Sequence, residues 1–293
     1  MPTWTRIFVV GSLLISLGIF AYLGWSALHD FSVKPSDIQA VLQPTGSEGF
    51  SFLVLGDNEG DNAVFRAILD SAQAEGADFL VNVGDLTPRS DPADFSRVKG
   101  LLEALPFPYY TAVGNNDIYG DEARSHYLAE FSTDQLGLPV STKTYYSFDH
   151  GNAHFVILDN ASRKVGFPDD ELTWLESDLT ANNKKWTFLF LHRPVNLPLT
   201  DVYGDDETPA SRKTNDRFAK LIERFPITRI FSGHLHTFFT YSLGAIPVSI
   251  TGGGGAAPQQ AFSAILGPQY HYLKIKVTED QVTQEVRRIE EPS

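Results

Sequence analysis

A short apolar run that ends in glycine and an acidic or amide residue occurs three times in this 293-residue chain. It reads SFLVLGD at residues 51–57, FLVNVGD at residues 79–85 and YYTAVGNND at residues 109–117. An apolar run of this length bounded by turn residues predicts a buried strand. Polar residues after such strands lie at the crevice where open α/β sheets bind ligands. We therefore expect the three strand ends to meet at one edge of a sheet.

The segments between and after these strands extend the pattern. Three helices are predicted in the first half, at residues 62–75, 91–105 and 122–131. Alternation of strands and helices predicts a mixed or parallel sheet covered by helices. The later chain is predicted to contain a hairpin over 144–158, a helix over 169–179, a strand over 186–191, a long loop over 195–211, a helix over 214–225, a strand over 227–231 and hairpins over 237–251 and 271–288.

Residues 7–28 form an almost unbroken apolar run. A helix needs about 20 such residues to cross a bilayer, whereas the apolar part of a cleaved signal peptide is about 7–15 residues long. The run therefore favours an uncleaved transmembrane anchor, with residues 1–6 in the cytoplasm and residues 29–49 as a linker. The domain over 50–293 is then expected outside the cytoplasm, or secreted if the segment is cleaved.

Charge and cysteine content exclude several classes of protein. The net charge of −13 argues against a nucleic-acid partner, because phosphate backbones require a basic surface. The chain has no cysteine, which excludes disulfides, thiolate zinc sites and cysteine nucleophiles. No feature of the sequence indicates an oligomeric state.

Carboxylates, an amide and imidazoles follow the predicted strands. The residues of this ligand-type set are Asp57, Glu59, Asp85, Asn115, His192, His234 and His236. Mixed oxygen and nitrogen donors suit Mn²⁺, Fe, Zn²⁺ or Ca²⁺-type ions. The set is too large for one transition metal, but it suits two ions about 3.5–4 Å apart that share a carboxylate. The pattern therefore predicts a site for two divalent metal ions.

Several motifs occur in an order and in strand contexts that resemble those of the calcineurin-like metallophosphoesterases. They are Gly56-Asp57-x-Glu59, Gly84-Asp85, Gly114-Asn115-Asn116-Asp117, His192 and Gly233-His234-Leu235-His236. The turn over 148–151 and the glycine run over 252–255 are most similar to the purple acid phosphatase branch. The resemblance implies a two-sheet β-sandwich flanked by helices, in four layers α/β/β/α, after the N-terminal transmembrane helix.

The resemblance also implies a function. One metal ion would be held by Asp57, Glu59, Asp85 and His236, and the other by Asp85, Asn115, His192 and His234. A hydroxide that bridges the two ions would attack phosphorus in line. The implied activity is hydrolysis of phosphate mono- or diesters, with a phosphorylated small molecule or a lipid-type compound as substrate.

The ligand set departs from the family pattern at Glu59, where histidine is usual. A third carboxylate favours Mn²⁺ or Fe, with Zn²⁺ possible. The alternative is that Glu59 points to solvent and the site holds one tightly bound ion.

Arg193 follows a ligand-type histidine and either contacts a substrate phosphate or is a surface arginine.

The second departure is Asn116, where the family has a histidine that donates a proton to the leaving oxygen or clamps the phosphate. An amide can donate a hydrogen bond but cannot supply a proton. Asn116 and Asp117, which normally orients that histidine, are the candidate catalytic residues. Another group could act as the acid instead, and the candidates are Asp201, Asp205 and Asp206 in the loop over 195–211 and His126. The other explanation is that the substrate has a good leaving group. Asn116 also leaves open a non-catalytic, metal-dependent binder of a phosphorylated ligand.

Overall fold

The computed structural model describes residues 49–131, 142–198, 207–258 and 269–292. The predicted cytoplasmic N-terminus, the predicted anchor over 7–28 and all but the last residue of the predicted linker lie outside these ranges. So do three of the four candidate acids, Asp201, Asp205 and Asp206. Within the described ranges, no helix combines the length and apolar character that a membrane span requires.

The first sheet has five strands. They are β1 (Phe50–Leu55), β2 (Phe79–Asn82), β3 (Tyr109–Thr111), β10 (Tyr270–Val277) and β11 (Val282–Ile289). Their order across the sheet is β11-β10-β1-β2-β3. The strands β1, β2 and β3 are parallel, whereas β10 runs antiparallel to both of its neighbours. The carboxyl ends of the three parallel strands therefore lie at one edge.

The second sheet has six strands. They are β4 (Tyr146–His150), β5 (Ala153–Ile157), β6 (Trp186–Phe190), β7 (Arg229–Ser232), β8 (Phe238–Leu243) and β9 (Ile246–Thr251). The order is β4-β5-β6-β7-β9-β8. The four central strands are parallel, and the edge strands β4 and β8 each pair antiparallel with their neighbour.

Five α-helices are described, with one short 3-10 helix over Asn116–Ile118. The helices are α1 (Ala63–Gln73), α2 (Pro92–Glu103), α3 (Ala123–Glu130), α4 (Asp169–Ala181) and α5 (Pro209–Ile222). The predicted start of α5 at residue 214 is wrong. The Thr208 side chain accepts a hydrogen bond from the Ser211 amide over 3.2 Å, and Pro209 occupies the first helical position. A threonine cap followed by proline is a favourable helix start.

Three hydrophobic clusters lie between neighbouring layers of the fold. Alternate residues of β1 face opposite sides, since successive side chains of a strand point to opposite faces. Phe52 and Val54 belong to the cluster between the two sheets, where the Phe52 and Phe79 rings stack with centroids 5.3 Å apart. Leu53 and Leu55 instead pack in the cluster with α1 and α2.

The third cluster lies between the second sheet and the helices α4 and α5. It joins strand residues such as Leu189 and Val248 to Leu175 of α4 and Phe218 of α5. Two mixed sheets flanked by helices are the fold that the sequence predicted, and this part of the prediction is confirmed. Burial of both faces of both sheets explains why the central strands read as continuous apolar runs.

Candidate metal centre

The loops that follow β1 and β2 run side by side at the carboxyl ends of these strands. The Asp57 amide donates to the Gly84 carbonyl over 2.9 Å, and the Glu59 amide donates to the Asp85 carbonyl over 2.9 Å. These bonds continue the parallel pairing of the two strands beyond their ends. They hold the two acidic loops against each other.

Four residues of the ligand-type set have left-handed backbone conformations. They are Asp57 at φ 61°, Glu59 at φ 45°, Asp85 at φ 54° and His234 at φ 71°. Each left-handed residue other than glycine costs about 1–3 kcal/mol and persists only where the surrounding structure enforces it. Such residues cluster at functional sites, so their distribution here marks this edge of the sheets as a candidate site.

Two groups of ligand-type atoms lie close enough to hold metal ions. In each group, all the atoms lie within 4.8 Å of one another. One group consists of Asp57, Asp85 and His236, and the other consists of Asp85, His192 and His234. Because Asp85 belongs to both groups, it is the carboxylate that two bound ions would share. The division matches the one that the family resemblance implies, and the ligand roles themselves remain predictions.

The other two residues of the set lie beside these groups. Asn115 Oδ1 is 3.0 Å from His192 Nε2, and Glu59 Oε1 is 3.7 Å from His236 Nε2. Glu59 Oε1 also accepts a hydrogen bond from Asn116 Nδ2 over 2.9 Å. Glu59 therefore points into the site, which contradicts the part of the alternative in which it points to solvent; the number of ions stays a prediction.

Backbone carbonyls orient two of the imidazoles. His192 Nδ1 is 3.0 Å from the Val83 carbonyl oxygen, and His236 Nδ1 is 2.7 Å from the Ala257 carbonyl oxygen. A carbonyl oxygen only accepts, so Nδ1 carries the proton that makes each bond. Each Nε2 then faces the carboxylates and can bind a cation, as in histidines that ligate metals.

The electrostatics of the buried groups favour added positive charge. Burial raises the pKa of Asp57 to about 7, and repulsion from Asp85 adds to this although His192 opposes it. Burial opposes a charge on His192, but the Asp85 and Asp57 carboxylates outweigh burial and raise its pKa to about 9. A carboxyl group that resists ionisation beside an imidazole that gains charge indicates a place that stabilises cations. The oxygen and nitrogen donors present therefore fit two divalent ions.

Arg193 lies inside the site and not on the surface. Its residue is only 6% exposed, and its Nη1 donates to Asn115 Oδ1 over 3.3 Å. The alternative interpretation as a surface arginine is therefore wrong. A buried guanidinium beside Asn115 and close to His234 of the second group is placed to bind an anion, since guanidinium groups match phosphate geometry.

Asn116 and Asp117 have different surroundings from each other. The Asn116 side chain contacts Asn115 and Glu59. The buried Asp117 carboxylate accepts from the amides of Leu86 (3.1 Å), Thr87 (2.9 Å) and Gly114 (2.9 Å) and from the Thr87 hydroxyl (3.1 Å). Asp117 thus joins the loops after β2 and β3, and no described hydrogen bond joins its side chain to that of Asn116.

Among the four candidate acids, His126 lies within the described residues. It is on α3, where its Nε2 is 3.9 Å from the Glu122 carboxylate. No described contact joins His126 to the residues of the ligand-type set. The structure therefore gives no support to His126 as the acid.

Sequence reasoning missed three buried asparagines that hold the site together. Asn82 Nδ2 donates to Asn58 Oδ1 over 2.9 Å. Asn160 Oδ1 accepts from the backbone amides of His192 (3.1 Å) and Arg193 (3.0 Å), and its Nδ2 donates to the Arg193 carbonyl. The sequence carried a signal for them, because each of the three asparagines lies in or just after an apolar run. A buried amide at such a position requires partners for all its polar atoms.

Comparison with known proteins agrees with the motifs. The family model described as calcineurin-like phosphoesterase matches residues 50–238. A glycerophosphodiester phosphodiesterase from Enterobacter lignolyticus is 30% identical over 166 residues, which cover 55% of this chain and 57% of the relative. A probable cyclic nucleotide phosphodiesterase from Rhodococcus erythropolis is 28% identical over 196 residues, which cover 63% of this chain and 60% of the relative. The chain thus spans less than two thirds of the length of these relatives.

Solved structures share the fold at low sequence identity. A purple acid phosphatase from yellow lupin seeds superposes with a TM-score of 0.66 at 17% identity, covering 83% of this chain and 52% of that chain. A dimetal phosphatase from Danio rerio superposes with a TM-score of 0.59 at 14% identity, covering 83% of this chain and 97% of that chain. These similarities establish the arrangement of sheets and helices.

Proposed function

The chain belongs to the calcineurin-like phosphoesterase family, and from this premise we propose that it is a metal-dependent hydrolase of phosphate mono- or diesters. Two relatives are named as phosphodiesterases, one for glycerophosphodiesters and one, as probable, for cyclic nucleotides. A third relative, from Allium cepa, is named a phosphoenolpyruvate phosphatase. These names support a phosphorylated small molecule as substrate and leave both ester classes in the proposal.

The observation that carries the proposal is the shared carboxylate. Asp85 belongs to both groups of ligand-type atoms, so the two groups are adjacent and not separate sites. In a site of two ions, this adjacency is what permits both ions to act on one phosphoryl group. A site for a single structural ion would not need the second group.

We propose that the whole ligand-type set holds two divalent ions, with Mn²⁺ or Fe favoured over Zn²⁺. The preference rests on Glu59, which adds a third carboxylate to a set that contains no sulfur. When bound, the two ions would supply a nucleophile from water near neutral pH and would neutralise charge on the phosphoryl oxygens. The carbonyls of Val83 and Ala257 would keep the imidazoles in the orientation that binding requires.

Arg193 is the proposed contact for a non-bridging oxygen of the substrate phosphate. Its guanidinium is held next to Asn115 Oδ1, and Asn160 fixes the backbone of Arg193 through three hydrogen bonds shared with His192. A rigid backbone reduces the freedom that the side chain loses when an anion binds. The residue would therefore orient the phosphate as well as attract it.

The leaving group sets the range of substrates. Asn116 cannot transfer a proton, and its amide is engaged with Asn115 and Glu59. General acid catalysis contributes roughly 10²–10⁴-fold to such reactions. Of the two explanations that the sequence leaves open, we therefore propose a substrate whose leaving oxygen needs little protonation.

The test is hydrolysis of 4-nitrophenyl phosphate and bis(4-nitrophenyl) phosphate by the full-length protein across a Mn²⁺ titration. We expect turnover that rises with Mn²⁺ and is lost in Asp85→Asn. The control is Asp159→Asn, a buried carboxylate that pairs with Arg124 outside both ligand groups. Absence of turnover with Mn²⁺, Fe²⁺ and Zn²⁺ would falsify the proposal.

A second candidate function is the metal-dependent binding of a phosphorylated ligand without hydrolysis. It is favoured by one observation, the engagement of Asn116 with Glu59 in place of a proton donor. Calorimetry with a phosphate ester at saturating Mn²⁺ separates the two. Heat of binding with no product after long incubation would favour the binder, and product would exclude it.

We also propose that the domain lies outside the cytoplasm, anchored by residues 7–28. The support is the length of the apolar run in the sequence. An anchor would bring the site near lipid phosphate groups, which is why a lipid-type substrate stays in the proposal. Protease treatment of intact cells should degrade the domain but spare a cytoplasmic control protein, and full protection would contradict this location.

A further inference from the structure

Four polar side chains form one continuous row of hydrogen bonds across the candidate site, here termed the amide chain. Its members, in order, are Arg193, Asn115, Asn116 and Glu59. Arg193 Nη1 donates to Asn115 Oδ1 over 3.3 Å, and Asn115 Nδ2 donates to Asn116 Oδ1 over 3.2 Å. Asn116 Nδ2 then donates to Glu59 Oε1 over 2.9 Å.

The two ends of the amide chain fix the direction of every hydrogen bond in it. A guanidinium only donates and an ionised carboxylate only accepts. Arg193 therefore requires the Asn115 oxygen to face it, which turns the Asn115 amino group toward Asn116. Glu59 requires the Asn116 amino group, which turns the Asn116 oxygen toward Asn115. Both amide orientations follow from the charged ends alone.

The amide chain also joins the two candidate metal groups. Glu59 lies 3.7 Å from His236 of the first group, and Asn115 lies 3.0 Å from His192 of the second. The backbone amide of Asn116 donates to Asp85 Oδ1 over 2.7 Å. Residue 116 thus contacts the carboxylate shared by both groups while its side chain links Glu59 to Asn115.

We propose that the amide chain positions Asn115 and Glu59 as metal ligands, and that Asn116 is a positioning residue within it. The proposal rests on the function proposed above, because it requires that metal ions bind here. It gives Asn116 a role that needs no proton transfer. Groups that hydrogen-bond to metal ligands typically change metal affinity by 10–100-fold when they are removed.

The test is a double-mutant cycle on Mn²⁺ affinity, measured by calorimetry on the metal-free full-length protein. Asn116→Ala is neutral, so it changes no charge near the ions. We expect it to weaken Mn²⁺ binding about 10-fold in the wild-type background. In the Glu59→Ala background, the same change should weaken binding less than about 3-fold, because the partner of the Asn116 amide is already absent.

The matched control is Asn152→Ala, which removes an amide that bonds to Glu279 at the surface, outside the amide chain. Its effect should be the same in both backgrounds. Asn116→Thr keeps a hydrogen-bond donor, so it should bind Mn²⁺ more tightly than Asn116→Ala. It replaces Asn116→Ala in the cycle if that variant does not fold. Electron paramagnetic resonance should show that Asn116→Ala reduces the fraction of paired Mn²⁺ ions before it reduces total binding.

The outcomes separate this proposal from the proposed function. A wild type that binds two Mn²⁺ and hydrolyses esters, combined with additive effects of Asn116→Ala and Glu59→Ala, overturns the amide chain alone. A wild type that binds Mn²⁺ without hydrolysis, with coupled effects, supports the amide chain and overturns the esterase. A wild type that binds no divalent ion overturns both.

Discussion

Asn82 Nδ2 donates a hydrogen bond to Asn58 Oδ1 over 2.9 Å, and both side chains are fully buried. The same Asn82 accepts from the Gly84 amide over 3.0 Å, while Asn58 donates to the carbonyls of Gly60 and Leu86. The pair therefore joins the loop that carries Asp57 and Glu59 to the loop that carries Asp85. Buried amides with all partners satisfied favour one unique arrangement of such loops.

Replacing Asn82 by leucine should destabilise the protein. Asn82→Leu keeps the size of the side chain but leaves Asn58 Oδ1 and the Gly84 amide without partners, and each buried unsatisfied group costs about 1–3 kcal/mol. We expect a loss of about 2–4 kcal/mol in the free energy of unfolding, measured with urea on metal-free protein. Asn152→Leu is the control, since its amide bonds to Glu279 at the surface. A loss no larger than that of the control would contradict the role of the pair.

Asp85 and Asp57 should differ in how many metal ions depend on them. Asp85 belongs to both ligand groups and Asp57 to one. Asp57→Asn should therefore leave about one tightly bound Mn²⁺ per chain, whereas Asp85→Asn should weaken both sites. The measurement is metal content by mass spectrometry after dialysis against a fixed free Mn²⁺ concentration. If the two variants retained the same amount of metal, Asp85 would not be shared.

The stability of the β4–β5 hairpin region should depend on pH through His154. Its Nδ1 is 2.7 Å from Asp149 Oδ1 and its Nε2 is 2.8 Å from Asp178 Oδ2. Among the described residues, Lys184 is a further charged group nearby, 3.4 Å from Asp149. Burial opposes a charge on the ring, but the hydrogen bonds to Asp178 and Asp149 outweigh burial and raise the pKa of His154.

The sign of this effect follows from linkage. A folded-state pKa above the unfolded value of about 6.5 stabilises the protein fully below pH 6.5, and the stabilisation is lost as pH rises through the folded pKa. The difference in free energy of unfolding between wild type and His154→Gln should therefore decrease from pH 5.5 to pH 9. Denaturant unfolding at steps of about half a pH unit measures it. A difference that grows with pH would show that the ring is neutral in the folded protein.

The sequence predicted most strands and the composition of the site because both follow from short local patterns. The apolar runs before Asp57, Asp85 and His192 each had to be strands covered on both faces, and β1, β2 and β6 are such strands. The ligand-type residues came from their position after these strands. Their grouping around Asp85 was implied by the family resemblance. The structure brings five of the seven together in two groups that share Asp85, and the ligand roles stay predictions.

Other features depended on contacts between distant segments. The start of α5 was placed too late because Pro209 looked like a loop residue, although Thr208 caps the helix there. The burial of Arg193 and its bond to Asn115 join residues 78 positions apart. In the family that the sequence resembles, this aspartate orients a histidine at position 116, whereas Asp117 here bonds to the loop after β2. No local pattern specifies such partners, since they are set by how the loops meet.

The lack of a general acid at position 116 should be visible in how kcat depends on the leaving group. With an amide at position 116, an ester whose leaving group is a weak base, such as 4-nitrophenolate, needs no proton at departure. An alkyl leaving group does need one, and general acid catalysis supplies roughly 10²–10⁴-fold. The wild-type protein should therefore show a steep fall in kcat with leaving-group pKa across a series of substituted phenyl and alkyl phosphates.

Asn116→His tests the cause of that fall. The variant should raise kcat for an alkyl ester relative to the 4-nitrophenyl ester by about 10-fold or more, because a histidine can supply a proton. The ratio of the two rates at saturating Mn²⁺ is the informative quantity, since a change in metal affinity or in phosphate contacts affects both substrates alike. Asn116→Thr is the control, as it keeps a donor but no titratable proton, and its ratio should equal that of the wild type. An unchanged ratio in Asn116→His would place the leaving-group acid elsewhere in the chain.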